Sequence, residues 1–110
     1  MTEPASDSGY SIVVTTTSSD DNARLIAERL LSDKLAACVQ LQRIESLYVW
    51  EDRLRDEPEI EIRAKIKSGD YADVEQAIRM VHVYEVPEIV RIAIAEGHGP
   101  YLRWISDVTR

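Results

Sequence analysis

One thiol, one well-placed imidazole and a short acidic segment are the side chains of this sequence best suited to chemistry. Cys38 is the only cysteine and His82 and His98 are the only histidines. Around His82 the chain reads MVHVYEVPEIV from Met80 to Val90, which sets Tyr84, Glu85 and Glu88 just downstream of the imidazole. A neutral imidazole is a common ligand for copper or zinc, and a thiolate is a soft ligand for copper. One His without a close partner makes only a weak site, so the residues that would complete it are Cys38, Glu51 and Glu85, from the same or a neighbouring chain. Structural roles compete at each position. A free Cys among apolar neighbours behaves as a small buried hydrophobe, and a charged imidazole at the end of a helix favours the negative end of the dipole. Tyr84, Glu85 and Glu88 enter a sheet, where polar groups need partners or water. His98, between two glycines, reads as a surface residue. The sequence carries no P-loop, no GxGxxG after a strand and no HExxH or CxxC pattern, so an enzyme is not expected.

Composition narrows the partners. At 110 residues and 12.5 kDa the chain suits one domain with one core. A net charge of −7 with a pI near 4.8 opposes nucleic-acid binding, which depends on clustered Lys and Arg. A single Cys cannot form an intramolecular disulfide and points to a reducing compartment. No apolar run approaches the roughly 18 residues of a membrane span, and the N-terminus lacks the parts of a signal peptide. A cytoplasmic protein with no membrane partner is the expectation.

The elements that must position these residues follow from periodicity. Residues 1–9 are small and polar and read as a disordered tail, leaving 10–110 as a single domain. YSIVVTTT from Tyr10 is a continuous β-branched run, as in a central strand covered on both faces. SSDDNA then offers capping side chains and carboxylates to a helix N-terminus. Ala23, Ile26, Ala27, Leu30 and Leu31 follow at the spacing of one apolar helical face, predicting a helix ending near Lys34. From Ala36 to Trp50 the apolar parity changes near Gln42 and Arg43, which predicts a bulge or bend. Glu59 to Lys67 alternates strictly between an Ile/Ala face and a charged face that can meet water.

Asp70 is expected to cap a second helix with Tyr71, Val74, Ile78 and Val81 inward. Pro87 lacks an N–H and suits the entry to a last strand over Glu88 to Ile94. Pro100 opens a final helix bearing Tyr101, Trp104, Ile105 and Val108 on one side. The order β, α, β, β, α, β, α gives an α+β fold: a ferredoxin-like βαββαβ sandwich with an additional C-terminal helix and an extended β-hairpin. The two central strands exceed the usual five or six residues. That extra length suggests pairing with another subunit. Tyr48, Trp50 and Trp104 lie at edges and ends, where exposed aromatic area marks an interface.

Four segments carry a family resemblance: KLAACVQL at 34–41, SLYVWEDRL at 46–54, HVYEVPEIV at 82–90 and YLRWI at 101–105. In these the chain resembles the CutA family of divalent-cation tolerance proteins over nearly everything after the tail. The resemblance implies a ferredoxin-like subunit that forms a tight homotrimer through its long hairpin, similar in shape to the PII signalling trimers. It implies a link to copper and other divalent metal ions, no catalytic reaction, and a metal ligand at Cys38. The places where some members carry further cysteines hold Thr16 and Ala77 here, so a complete thiolate site within one chain is not expected. Tyr84, Glu85 and Glu88 would line a cleft between subunits, with Tyr48, Trp50, Tyr101 and Trp104 at the interface. A PII-like module binding a small ligand or a partner protein in that cleft is the competing reading. The chain departs from the family where His82, Val83 and Tyr84 replace a common His-Pro-Tyr, and where Gln42 and Arg43 replace a common Pro-Gly.

Overall fold

The computed structural model describes residues 7–110. Four strands, β1 (Tyr10–Thr17), β2 (Cys38–Trp50), β3 (Arg53–Lys67) and β4 (Ile89–Ile94), alternate with three helices, α1 (Asp20–Ser32), α2 (Tyr71–Val81) and α3 (Gly99–Val108). The strands form one antiparallel sheet in the order β2-β3-β1-β4. The expected order of elements and the α+β class are both present.

Side-chain parity divides this sheet into two unlike faces. Val13 on β1 and Ile60, Ile62, Ala64 and Ile66 on β3 point to one side, and each is at most 6% exposed. They meet Ala23, Ile26 and Leu30 of α1 and Val74 and Ile78 of α2 to form the core. Burying one such aliphatic side chain stabilises the fold by roughly 1.5–3 kcal/mol. Ser19 caps α1, its hydroxyl accepting from the Asn22 N–H at 3.1 Å, and Asp20 and Asp21 fill the first turn. The other face is covered in part by α3. There Tyr10 is bonded to Ser106 by a 2.5 Å hydroxyl contact, and Ile105 is fully buried outside the main core.

Four details differ from expectation. β2 and β3 keep one unbroken register from Cys38↔Lys65 to Trp50↔Arg53, so the parity change near Gln42 and Arg43 produces no bulge. Instead the strand becomes apolar on both faces where it leaves the helical layer: Leu47 and Val49 lie on one side, Ile44, Tyr48 and Trp50 on the other. Asp70 does not cap α2 with its side chain; it closes a 3-10 turn over Ser68–Asp70. Glu59, expected on a water-facing strand face, is only 6% exposed. Asp7 to Gly9, placed by the sequence in the tail, attach to the sheet through a Ser8 N–H donated to the Ile94 carbonyl at 3.0 Å and a Ser68 N–H donated to the Gly9 carbonyl at 2.8 Å. The rest of the expected tail, residues 1–6, lies outside the described residues.

β1 stops at Thr17, opposite Ile60, while the β2–β3 ribbon runs on to a two-residue turn at Glu51 and Asp52. Both turn residues take left-handed backbone angles, φ 52° and 60°, which match the twist of a tight hairpin. Residues 53–59 project the ribbon by about 24 Å at 3.4 Å per residue. The radius of gyration is accordingly 15.0 Å, against about 13 Å for a compact chain of this size. Ile62→Ala should destabilise the fold by about 2–5 kcal/mol in urea or thermal unfolding, since it leaves a cavity at the centre of the helix-facing sheet. A loss well under 1 kcal/mol would place the core elsewhere.

Candidate functional site

The ribbon and the loop between α2 and β4 enclose a cleft of about 710 Å³, within the usual range for small-molecule sites. One wall is β2 from Glu45 to Tyr48, with Trp50; the other is the loop from Val83 to Val86, with Glu88. Thr16 and Glu59 form the floor. Four of the lining side chains are carboxylates and none is Lys, Arg or His.

Position is imposed on this loop by a set of buried polar contacts. Asn22, 4% exposed, donates through its amide nitrogen to the Val81 carbonyl at 2.8 Å and accepts at its oxygen from the Thr17 hydroxyl at 2.9 Å and the Val83 N–H at 3.3 Å. The start of α1 thereby clamps the end of α2. His82 closes α2 through its backbone N–H on the Ile78 carbonyl. Its Nδ1 accepts from the Tyr84 N–H at 3.0 Å, so in the neutral ring Nε2 carries the proton and donates to the Thr16 carbonyl at 2.9 Å. Burial lowers the His82 pKa from its ordinary value, against the opposing pull of the Thr16 carbonyl and Glu59. Desolvation at the helix end disfavours a charged imidazole, one of the two readings of His82, and the ring instead organises the loop through its two hydrogen bonds.

Tyr84 is the next link. Its hydroxyl donates to Glu59 Oε2 at 2.5 Å, and burial, then the Glu59 carboxylate, push the phenol up to about 12. Its ring lies against His82 with centroids 4.9 Å apart. Glu88 stands on the lip of the cleft. Desolvation and then the charges of Glu61 and Glu59 raise its pKa, so negative charge is crowded here.

The four proposed metal ligands are not brought together in one chain. Cys38 is half-buried at the start of β2, opposite Lys65, whereas His82 bonds to Thr16, whose strand partner is Glu61. Those positions are four β3 residues apart, about 13 Å along the strand. Glu51 sits at the exposed ribbon tip and Glu85 on the cleft wall. Both nitrogens of His82 are already engaged, so coordination there requires breaking a hydrogen bond. Among the described residues no group of three or more His, Cys, Asp or Glu side chains is placed to hold a metal ion.

Of the proposed interface residues, Tyr48 and Trp50 line the cleft with Tyr84 and Glu88. Tyr101 and Trp104 form a separate ring pair on α3 with centroids 5.6 Å apart. Glu59, Glu45 and Asn22 were not singled out from the sequence, and Thr16 stood out only as a place where some family members carry a cysteine. Glu59 opens a charged alternation and looked like one of its solvated members; only the Tyr84 contact distinguishes it.

Two outcomes follow from this geometry. Tyr84→Phe removes the one hydrogen-bond donor to the Glu59 carboxylate among the described residues and should destabilise the protein by about 1–3 kcal/mol in chemical denaturation, with most of that loss absent in a Glu59→Gln background; equal losses in both backgrounds would exclude the coupling. His82 binds a proton more readily unfolded than folded. Its contribution is therefore fully present above the unfolded value near 6.5 and is lost as pH falls below it toward the depressed folded value. Melting temperature measured against pH should show this component in the wild type and not in His82→Gln.

Comparison with known proteins agrees with this architecture. A family profile described as "CutA1 divalent ion tolerance protein" matches residues 11–108. The "Protein CutA homolog" of Xenopus laevis is 36% identical over 109 residues, covering 94% of this chain and 72% of that protein. Against the crystal structure of the "stable protein, CutA1" from the psychrotrophic bacterium Shewanella sp. SIB1, the TM-score is 0.87 at 39% identity, covering 92% of this chain and 95% of that one. The structure of the "Periplasmic divalent cation tolerance protein CutA" from Archaeoglobus fulgidus gives 0.88 at 33% identity, covering 90% and 97%. The chain spans 63% of the length of the mouse relative and 64% of the human one.

Proposed function

This chain belongs to the CutA1 divalent ion tolerance protein family, and on that premise we propose that it acts in divalent-cation tolerance as a homotrimer binding copper or another divalent metal ion. The role needs no catalytic step, and the lone thiol suits the cytoplasm. The observation that carries the assembly is the ribbon itself. Leu47, Val49 and Leu54 are 65%, 70% and 74% exposed on an arm projecting beyond the rest of the sheet, and a contiguous apolar surface of this kind marks an interface. Tyr101 and Trp104 on α3 add a second exposed aromatic patch.

Metal binding is best supported between chains. Cys38, Glu51 and Glu85 are accessible yet isolated within one chain, and a threefold assembly can supply ligands to one ion from different subunits. Cys38 offers a thiolate suited to copper, while the carboxylates suit harder divalent ions. His82 is the least suited of the four, since its ring is already committed to Thr16 and Tyr84. A second reading, a PII-like module that receives a small ligand, is favoured by one feature: the cleft is large and has aromatic walls.

Sedimentation equilibrium at micromolar concentration should report three times the 12.5 kDa chain mass, and Val49→Glu with Leu54→Glu should shift the protein toward monomer; a well-folded wild-type monomer would overturn the assembly. Calorimetry with Cu²⁺ and Zn²⁺ should show affinity falling roughly tenfold or more in Cys38→Ala or Glu85→Gln, on the scale of lost metal-site interactions. Unchanged affinity in Cys38→Ala, Glu51→Gln, Glu85→Gln and His82→Ala alike would remove this ligand set.

A further inference from the structure

Helix α3 is held differently from the other two. Helices α1 and α2 sink Ala23, Ile26, Leu30, Val74 and Ile78 into the core, whereas α3, ten residues long, has one buried side chain, Ile105. Its Tyr101, Trp104 and Val108 stay 39%, 40% and 41% exposed. A helix of this length is marginal in water and depends on packing, and a single aliphatic anchor supplies little of it. The remaining attachments are polar and gather at its C-terminal side. Ser106 meets the Tyr10 hydroxyl at 2.5 Å. Past the helix, the Arg110 N–H donates to the Lys34 carbonyl at 2.9 Å, Lys67 Nζ donates to the Arg110 carbonyl, and the Arg110 guanidinium pairs with Asp73. One residue therefore fastens α3 to the α1–β2 turn, the end of β3 and the first turn of α2.

The receiving carbonyl is itself built in. Lys34 takes a left-handed backbone angle, φ 56°, at a position where helices usually place Gly. Its N–H bonds to the Leu31 carbonyl at 3.1 Å and the Leu35 N–H to the Leu30 carbonyl at 3.0 Å, the paired bonds of a Schellman helix end. That turn is fixed by α1 with or without α3. The side chains that clasp it are held less firmly: Arg110 and Asp73 are 50% and 59% exposed, and exposed ion pairs are weak and screened by salt. We propose that α3 is a hinged flap, which lifts from the open face of the sheet while the core stays folded, and that the Arg110 clasp on Lys34, Lys67 and Asp73 sets how often it lifts. Opening bares Ile105 and releases the Tyr10 hydroxyl. The hinge is the exposed segment 95–98 between β4 and α3. Local opening of this kind belongs to elements with few buried apolar contacts. It involves none of the residues assigned to the cleft or to a metal ion.

Residue-resolved amide hydrogen exchange on the full chain tests it. Amides of residues 103–108 should exchange roughly tenfold or more faster than those of residues 12–16 in β1. Arg110→Ala and Asp73→Asn should each speed the α3 amides by a further factor of about two to five, the scale of one exposed ion pair, and leave the β1 amides unchanged. Added salt should act on the wild type in the same way and have little effect on Asp73→Asn. Both substitutions fall on exposed side chains, so the variants keep their fold. Amides of α3 as slow as those of β1 would show that helix and core open together, and would overturn the flap. Equal acceleration of both sets in the two variants, no acceleration of either set, or an undiminished salt response in Asp73→Asn would overturn the clasp.

Discussion

The unbroken antiparallel pairing of β2 with β3 governs the rest of this molecule. Thirteen consecutive residue pairs, from Cys38↔Lys65 to Trp50↔Arg53, keep one register, whereas β1 accompanies β3 only as far as Ile60. Inside the shared stretch the alternation places Ile60, Ile62, Ala64 and Ile66 under the helices. Outside it neither face has a layer to lie against. An isolated two-stranded ribbon is marginally stable in water, so an arm of this length with Leu47, Val49 and Leu54 exposed implies cover from elsewhere. The arm that calls for a partner is also one wall of the cleft.

Electrostatics at the base of that arm are organised by neutral groups. Burial disfavours the charged form of His82, and its two ring hydrogen bonds, to the Thr16 carbonyl and from the Tyr84 N–H, fix the backbone of Tyr84. The phenol then holds Glu59. A chain of three side chains thus runs from the end of α2 to the floor of the cleft, with Asn22 locking the loop from α1. Such a network presents acidic groups in a fixed arrangement.

Much of the fold was legible because burial and period coincide. The Glu59–Lys67 alternation, the β-branched run at Tyr10 and the apolar face of α1 all appear where periodicity placed them. The bulge was not legible, because a parity change in one strand has two causes: an inserted residue, or a loss of the asymmetry between faces. β2 shows the second. Asp70 failed as a cap because a 3-10 turn intervenes before α2, a tertiary detail with no periodic signature. At the site, the motif around His82 lies on the loop that walls the cleft, where the ring makes tautomer-specific hydrogen bonds that the sequence does not encode. Glu59 stayed hidden because its partner is 25 residues away, and one more Glu in a charged alternation carries no signal of burial.

Amide hydrogen exchange across residues 44–58 is the most direct test of an arm covered by other copies. If neighbours bury both faces of the ribbon, these amides should be protected nearly as well as those of β1 at micromolar concentration, and protection should fall on dilution as the copies separate. Rapid exchange of the ribbon beside a fully protected β1, at every concentration, would contradict the account and leave the arm as a freely exposed hairpin.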